Sequence, residues 1–308
     1  MITNRPARRA RRRGALVVPA LLLIAACGSD AEPSGARTVD IGNGRVIDIE
    51  CQGTGEPTVV LVSGLGEGAD TWGSPADREP PDPTVLDGVG AFSRVCAYDR
   101  PDTGSGRTTP VPQPTSAQDA AADLEALLTA SGEPGPYVLV GHSYGGPIIR
   151  MFASAHPDEV AGLVLVDGLS EDLSDGLTPA QQDIFEALNT PPPGSDSEVL
   201  DVDATFAELR DSAPPPTMPV IVLTADRPQL TPEVIASGGL PPGVDQTFAD
   251  ALWSAQLAAQ DELAAKFPGA EHVTATDSTH YIQYDNPELV IDSIRAVVET
   301  VRSTQAED

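Results

Sequence analysis

The chain has 308 residues, 40% of them hydrophobic, which is enough to bury the core of an α/β domain. Its 46 acidic residues outnumber 18 lysines and arginines, and the formal net charge is −28. Such an acidic surface repels nucleic acid and anionic lipid, so the composition argues against a nucleic-acid partner and favours solubility.

The N-terminal residues predict export from the cytoplasm. Arginines between residues 5 and 13 precede a short apolar run, residues 15–26, and this order is typical of a secretory signal peptide over residues 1–26. The run is shorter than the roughly 20 residues that a spanning helix needs. Leu23-Ile24-Ala25-Ala26-Cys27 resembles a bacterial lipobox, in which the cysteine is lipidated and becomes the mature N-terminus. We therefore expect an extracytoplasmic lipoprotein, attached to the membrane only through a lipid on Cys27 and followed by a flexible tether over residues 27–36. Cleavage near Cys27 without lipidation stays an alternative, and the Sec and twin-arginine export routes both stay open.

The following residues alternate between strand and helix patterns. Asn43-Gly44 between two alternating apolar runs predicts a hairpin at residues 41–49. Continuous apolar runs predict buried strands at residues 57–62, 94–98, 137–140, 163–166, 219–224 and 272–276. Helical patterns lie at residues 116–130, 148–155, 246–267 and 287–301. This order predicts an α/β domain over residues 37–308, with one mostly parallel sheet and helices on both faces.

Residues 168–218 interrupt this alternation with an insertion that is long for a connection between two strands. Two modest helical patterns, near residues 179–188 and 204–211, each have an apolar face to bury. We expect this segment to be a cap that covers the functional site. A disordered acidic insertion is the alternative.

A serine between glycines is the first candidate for chemistry. Gly141-His142-Ser143-Tyr144-Gly145 follows a predicted strand and precedes a predicted helix, which is the setting that the G-x-S-x-G nucleophile motif requires. The sharp turn exposes the serine hydroxyl, and the glycines allow the strand and the helix to approach closely. We therefore expect Ser143 to be a nucleophile.

A serine hydroxyl needs a nearby base to take its proton, and the chain has four histidines. His142 flanks the serine and is expected to point away from it across the turn. His156 ends a helix and is expected to be structural, and His272 begins a predicted strand. His280 lies in the loop after the last predicted strand, where ligands meet an open α/β sheet. We expect His280 to be the base.

Two further groups complete an acyl-transfer site. The carboxylate that orients the histidine has two candidates at strand ends, Asp226 and Asp167. Asp226 is favoured because it ends the strand directly before the one that leads to His280. Oxyanion donors are expected from the backbone N–H of Tyr144 and from residues 63–68, where we assign Leu65, with Gly66 as the alternative.

These motifs resemble those of the serine α/β-hydrolases, from the hairpin to residues 280–290, and they include the segment YDRPDTGSG at residues 98–106. The resemblance implies an eight-stranded sheet with a short helical cap and an ester or thioester hydrolase that acts on a small acyl substrate without a cofactor. The chain departs from the family at Ser63-Gly64, where a His-Gly pair is usual, and at Ala225-Asp226, which replaces Gly-x-x-Asp.

Other activities stay open. A serine at the nucleophile position disfavours the chemistry of haloalkane dehalogenases and epoxide hydrolases. A lipid-anchored binding protein with little turnover, a cofactor-free haloperoxidase and a lactonase are the alternatives to an esterase. No metal site is expected, because the cysteines and histidines lack the spacing of metal ligands.

The remaining cysteines are expected to form a disulfide. In the strand order that the resemblance implies, the second and fourth strands are neighbours, which brings Cys51 close to Cys96. Disulfides persist in exported proteins, and they require Cα atoms roughly 4.4–6.8 Å apart. Two buried free thiols are the alternative.

Overall fold

A computed structural model describes residues 35–75, 78–192, 194–214 and 217–306. The predicted signal peptide, Cys27 and residues 27–34 of the predicted tether lie outside the described residues. Within the described ranges, no helix is long and apolar enough to cross a membrane.

The centre of the fold is an eight-stranded sheet with the strand order β1-β2-β4-β3-β5-β6-β7-β8. The strands are β1 (Gly35–Gly42), β2 (Arg45–Gln52), β3 (Val59–Val62), β4 (Val95–Asp99), β5 (Tyr137–His142), β6 (Val160–Val166), β7 (Val220–Leu223) and β8 (Glu271–Val273). β2 is antiparallel to β1 and to β4, and the other neighbouring strands are parallel. The predicted mostly parallel eight-stranded sheet is confirmed.

β1 begins earlier than the sequence suggests. Gly35 and Ala36 were expected to end the tether, but they pair with Cys51 and Glu50 of β2. The predicted tether boundary at residue 36 is therefore wrong by two residues, because backbone pairing with β2 does not require apolar side chains in β1.

Helices cover both faces of the sheet. They are α1 (Val85–Gly90), α2 (Ala117–Ser131), α3 (Gly145–Ala155), α4 (Pro179–Leu188), α5 (Val202–Asp211), α6 (Pro232–Ser237), α7 (Gln246–Ala265), α8 (Ile282–Asp285) and α9 (Pro287–Gln305). α2 and α3 pack on one face of the sheet, and α1 and α9 pack on the other. Along β3, Val60 and Val62 face the first layer, whereas Val59 and Leu61 face the second. Burial on both faces explains why the central strands are continuously apolar.

Residues 168–218, which we call the cap, contain a 3-10 helix (Glu171–Gly176) followed by α4 and α5. The cap packs against α7 through a small apolar cluster that includes Leu173, Leu177, Ala255 and Ala259. The alternative of a disordered insertion is therefore wrong for the described part of this segment. α4 has the predicted bounds, since Thr178 begins it with a capping box and Pro179 occupies its first turn.

Cys51 and Cys96 lie directly opposite each other on β2 and β4. Their sulfur atoms are 2.11 Å apart and their Cα atoms 4.1 Å apart, which is slightly closer than expected because opposed residues on antiparallel strands approach closely. Glu133 completes a group of three potential metal ligands among the described residues. Bonded sulfurs offer no thiolate, however, and the Glu133 carboxylate accepts hydrogen bonds from Arg37 and Arg94.

Candidate active site

Ser143 occupies a sharp turn between β5 and α3. Its backbone φ is +51°, a conformation that costs a residue other than glycine of order 1–3 kcal/mol. A Cβ atom at Gly141 would lie 2.5 Å from the carbonyl oxygen of Gly145, and a Cβ atom at Gly145 would lie 2.2 Å from that of Val62. The two glycines are therefore required by the close approach of three backbone segments, which agrees with the predicted turn.

Ser143 lines a cavity of about 150 Å³ at the carboxyl edge of the parallel strands. Leu65, Tyr144, Asp167 and His280 line the same cavity. Most of its wall is apolar and includes Leu173, Phe185 and Leu188 from the cap and Leu252 and Trp253 from α7. The cap therefore covers the cavity that contains Ser143, as the sequence suggested, and α7 contributes a second wall that the sequence did not indicate.

His280 is bound to Asp167. Its Nδ1 lies 2.6 Å from Oδ2 of Asp167, which follows β6 directly. The other carboxylate oxygen, Oδ1, accepts a hydrogen bond from the N–H of Ala225 at 3.0 Å. Burial alone would lower the pKa of His280, but the hydrogen bond and the charge of Asp167 outweigh it and raise that pKa above its ordinary value. Asp167 is thus in the position to orient the imidazole.

The sequence favoured Asp226 as the carboxylate that contacts His280, and this prediction is wrong. The exposed carboxylate of Asp226 instead accepts hydrogen bonds from the N–H groups of Asp277 and Ser278, both at 2.9 Å. The reason is that β7 ends at Leu223, so Asp226 has already left the sheet and turned toward the loop that precedes His280. Asp226 holds the backbone of that loop rather than the imidazole.

The candidate oxyanion donors lie beside Ser143. A Cβ atom at Gly64 would be 3.2 Å from Cβ of Ser143, so the loop after β3 packs directly against the serine turn. The N–H of Gly66, the alternative donor, is already bonded to Oε2 of Glu198 at 2.8 Å. Within the described ranges, the N–H groups of Leu65 and Tyr144 have no protein acceptor. Both are therefore available to a bound oxygen atom.

His142, to which the sequence gave no role, is buried between two hydrogen-bond acceptors. Its Nδ1 lies 3.2 Å from Oε2 of Glu67, and its Nε2 lies 3.0 Å from the backbone carbonyl oxygen of His280. Both contacts are hydrogen bonds only if both ring nitrogens carry protons. Burial raises the pKa of Glu67, but the His142 ring and the N–H of Gly64 outweigh this and lower it to about 2. The His142 ring therefore lies between the Glu67 carboxylate and the backbone of His280.

Comparisons with known proteins agree with this architecture. The sequence model of the alpha/beta hydrolase family matches residues 59–293. Lipase LipV from Mycobacterium tuberculosis is 33% identical over 126 residues, which are 40% of this chain and 42% of that protein. The putative carbamate hydrolase RutD from Azorhizobium caulinodans is 33% identical over 120 residues, 39% of this chain and 40% of that protein. The chain thus matches about two fifths of the length of these relatives.

Solved structures with low sequence identity share the fold. A thermophilic esterase from Thermogutta terrifontis is similar over 87% of this chain and 99% of its own, with a TM-score of 0.58 and 19% identity. A haloalkane dehalogenase from Agrobacterium tumefaciens is similar over 86% of this chain and 96% of its own, with a TM-score of 0.58 and 14% identity. Because the two neighbours carry out different reactions, the likeness concerns the fold, and the reaction must be argued from the site.

Proposed function

The chain belongs to the alpha/beta hydrolase family, and on that premise we propose that it is a serine hydrolase that cleaves a carboxylic ester or thioester. The observation that carries the proposal is the 2.6 Å contact between His280 and Asp167 in the cavity that Ser143 also lines. A serine held at positive φ, a histidine and a buried carboxylate are the groups that acyl transfer requires.

In the first half of the reaction, Oγ of Ser143 attacks the carbonyl carbon of the substrate while Nε2 of His280 takes the serine proton. The carbonyl oxygen becomes an oxyanion that accepts hydrogen bonds from the N–H groups of Leu65 and Tyr144. When the bond to the alcohol or thiol breaks, His280 gives its proton to that leaving group. Asp167 stabilises the imidazolium between these two transfers. The product of this half is an ester between the acyl group and Ser143.

The second half uses water in place of the leaving group. His280 takes a proton from a water molecule, whose oxygen attacks the acyl carbon and forms a second oxyanion. Collapse of this intermediate breaks the bond to Oγ of Ser143, and His280 returns the proton to that oxygen. The carboxylic acid then leaves and the free serine is restored. The same residues serve both halves, so no other reactant than water is needed.

The cavity favours an uncharged, apolar acyl group. A space of about 150 Å³ is the size that accommodates a benzene molecule in an apolar protein cavity, so we expect an acyl group of roughly six carbon atoms. Arg227 is the cationic side chain among the residues that line the cavity, and its guanidinium lies within 3.8 Å of the carboxylates of Asp277 and Asp285. Its charge is therefore offset before a substrate binds.

Replacement of Ser143 by alanine tests this function. We expect Ser143→Ala to fold normally and to lose nearly all hydrolysis of a chromogenic ester, because the nucleophile, base and oxyanion donors act as a unit. A fluorophosphonate should label the wild-type protein at Ser143 and leave the variant unlabelled. Label without turnover would identify a binding protein, and more than a few per cent of residual activity would refute the role of Ser143.

We also propose that the protein acts outside the cytoplasm, attached by a lipid on Cys27. The basic and apolar residues before Cys27 support export, and the bonded pair Cys51–Cys96 is in keeping with an oxidising compartment. Mass spectrometry of the N-terminal peptide from the membrane fraction should detect a lipid-modified Cys27. An unmodified N-terminus in a secreted, soluble form would contradict the anchor, and Cys27→Ser is the matched control.

A further inference from the structure

A buried arginine lies behind the loop that carries Leu65. Arg100 follows β4, and its side chain is 1% exposed. Its Nε and Nη2 donate to the two carboxylate oxygens of Glu198, at 2.6 and 2.8 Å. Its Nη1 and Nη2 also donate to the backbone carbonyl oxygens of Ser63 and Gly64, at 2.8 and 2.5 Å. One guanidinium therefore joins the cap residue Glu198 to the loop after β3.

These contacts fix the peptide groups on both sides of Leu65. In a trans peptide the C=O and N–H groups point in opposite directions, and the cis peptide bonds of the described residues all precede proline. Because Arg100 holds the carbonyl of Gly64, the N–H of Leu65 in the same peptide group points away from the guanidinium. The next N–H, that of Gly66, is turned toward Glu198. The two ionised side chains thus determine which N–H of this loop stays available to a ligand.

Glu198 is itself held in place by the backbone next to it. The carbonyl of Val199 accepts a hydrogen bond from the N–H of Thr115 at 3.0 Å, and the N–H of Asp201 donates to the carbonyl of Thr115 at 2.9 Å. This part of the cap therefore pairs with the residues that precede α2. A buried carboxylate fixed in this way cannot move without leaving the charge of Arg100 unpaired, which is costly.

We propose that Arg100 and Glu198 are positioning residues that aim the Leu65 N–H at the oxyanion. The pair of oxyanion donors, the N–H groups of Leu65 and Tyr144, is then complete only when the cap is in place. The inference rests on the proposed hydrolase function. It assigns the cap a part in transition-state stabilisation, beyond covering the acyl group. Neither residue touches the substrate, since neither lines the cavity of Ser143.

A second buried ion pair provides a matched control. Arg150 of α3 donates to both carboxylate oxygens of Glu171 in the cap, at 2.7 and 2.8 Å, and the Glu171 side chain is 3% exposed. This pair also joins the cap to the core, but it makes no contact with residues 63–66 among the described residues. Its loss should weaken the fold without altering the direction of the Leu65 N–H.

The experiment compares Glu198→Gln with Glu171→Gln in the full-length protein. We expect both variants to melt at a lower temperature than wild type. In Glu198→Gln, kcat for a short p-nitrophenyl ester should fall about 10-fold to 100-fold, with a smaller change in KM. This fall in kcat is smaller than the one expected when an oxyanion donor is removed altogether. In Glu171→Gln, kcat should stay within about threefold of wild type, because the donors are untouched. Hydrogen–deuterium exchange of residues 63–68 should rise only in Glu198→Gln.

Equal losses of kcat in the two variants, or unchanged exchange of residues 63–68 in Glu198→Gln, would overturn the positioning role while leaving the proposed function intact. A wild-type protein without turnover would instead refute the function, and the exchange comparison would still decide whether Glu198 fixes the loop. If Glu198→Gln does not fold, the double variant Arg100→Met/Glu198→Leu replaces the pair with apolar side chains that buried sites commonly tolerate. Its control is Arg150→Met/Glu171→Leu, judged by the same two measurements.

Discussion

Replacing Asp167 by asparagine tests which carboxylate orients His280. The N–H of Ala225 donates to Oδ1 of Asp167, so the asparagine must keep its carbonyl oxygen at that position. Its amide nitrogen then replaces Oδ2 and faces Nδ1 of His280. Because the amide nitrogen is a donor, Nδ1 must act as the acceptor, and the single proton of the neutral ring then lies on Nε2. Nε2 can no longer take the proton of Ser143. We expect kcat to fall by about 10⁴, the effect of the same change in a catalytic triad.

Asp226→Asn is the matched control, because Asp226 lies in the loop after β7 and its carboxylate accepts backbone hydrogen bonds near His280 without contacting the imidazole. The carboxylate accepts two backbone hydrogen bonds at 2.9 Å on an exposed loop, and an asparagine can still accept one of them. We expect a loss of about 1 kcal/mol in the free energy of unfolding, since exposed hydrogen bonds contribute little. The change in kcat should be within about tenfold, because only the backbone near His280 is loosened.

The assay is the pH dependence of kcat/KM for a chromogenic ester. His280 must be neutral to act as a base, so the rate rises as the pH passes the pKa of this residue. Asp167 raises that pKa, which places the acid limb of wild type above about pH 6.5. In Asp167→Asn the rise of kcat/KM should occur at lower pH than in wild type, and the maximum value of kcat/KM should be lower. A larger loss in Asp226→Asn than in Asp167→Asn would refute the reasoning and return the role to Asp226.

Three further results are expected. In Glu67→Gln the N–H of Gly64 should keep the amide oxygen in the place of Oε2, facing Nδ1 of His142. We therefore expect kcat to stay within about tenfold of wild type, and a larger loss would show that the negative charge of Glu67 is needed. Thiol titration of unfolded, unreduced protein should find neither Cys51 nor Cys96 free, and two reactive thiols would disprove the disulfide. Removing the disulfide should lower the free energy of unfolding by about 2–5 kcal/mol. Among p-nitrophenyl esters of graded length, hydrolysis should peak near roughly six acyl carbons. Esters with a terminal carboxylate should react more slowly at low salt, and the opposite preference would exclude an apolar acyl site.

Most of the sheet could be predicted from the sequence, because the central strands are buried on both faces and are therefore apolar without interruption. The helix α4 was also predictable, since its capping residue and its proline are adjacent in the chain. The short helices α1, α6 and α8 were not identified, because four to six residues carry too little periodicity. The start of β1 was missed for another reason, since its first residues pair through their backbones only.

At the site, what depends on local sequence was easier to predict than what depends on contacts between distant segments. Ser143 and His280 were identified from a motif and from a position after the last strand, and the fold brings both to one cavity. The choice between Asp167 and Asp226 depends on where β6 and β7 end in space, and chain order alone gave the wrong answer. Glu198 is bonded to Gly66 across 132 positions of sequence, so no local pattern could indicate it.

The pairing of the first strands has a mechanical consequence. β1 is the edge strand, and its first residue, Gly35, lies opposite Cys51. Force applied at Gly35 therefore loads the hydrogen bonds of the hairpin one after another and opens it toward Asn43. With the Cys51–Cys96 bond formed, strand separation stops at β4, after the release of residues 35–51 has lengthened the extended chain by about 50 Å. The strands that lead to Ser143 and His280 lie beyond this point, so tension on the N-terminal side can extend the chain and leave these two residues in place.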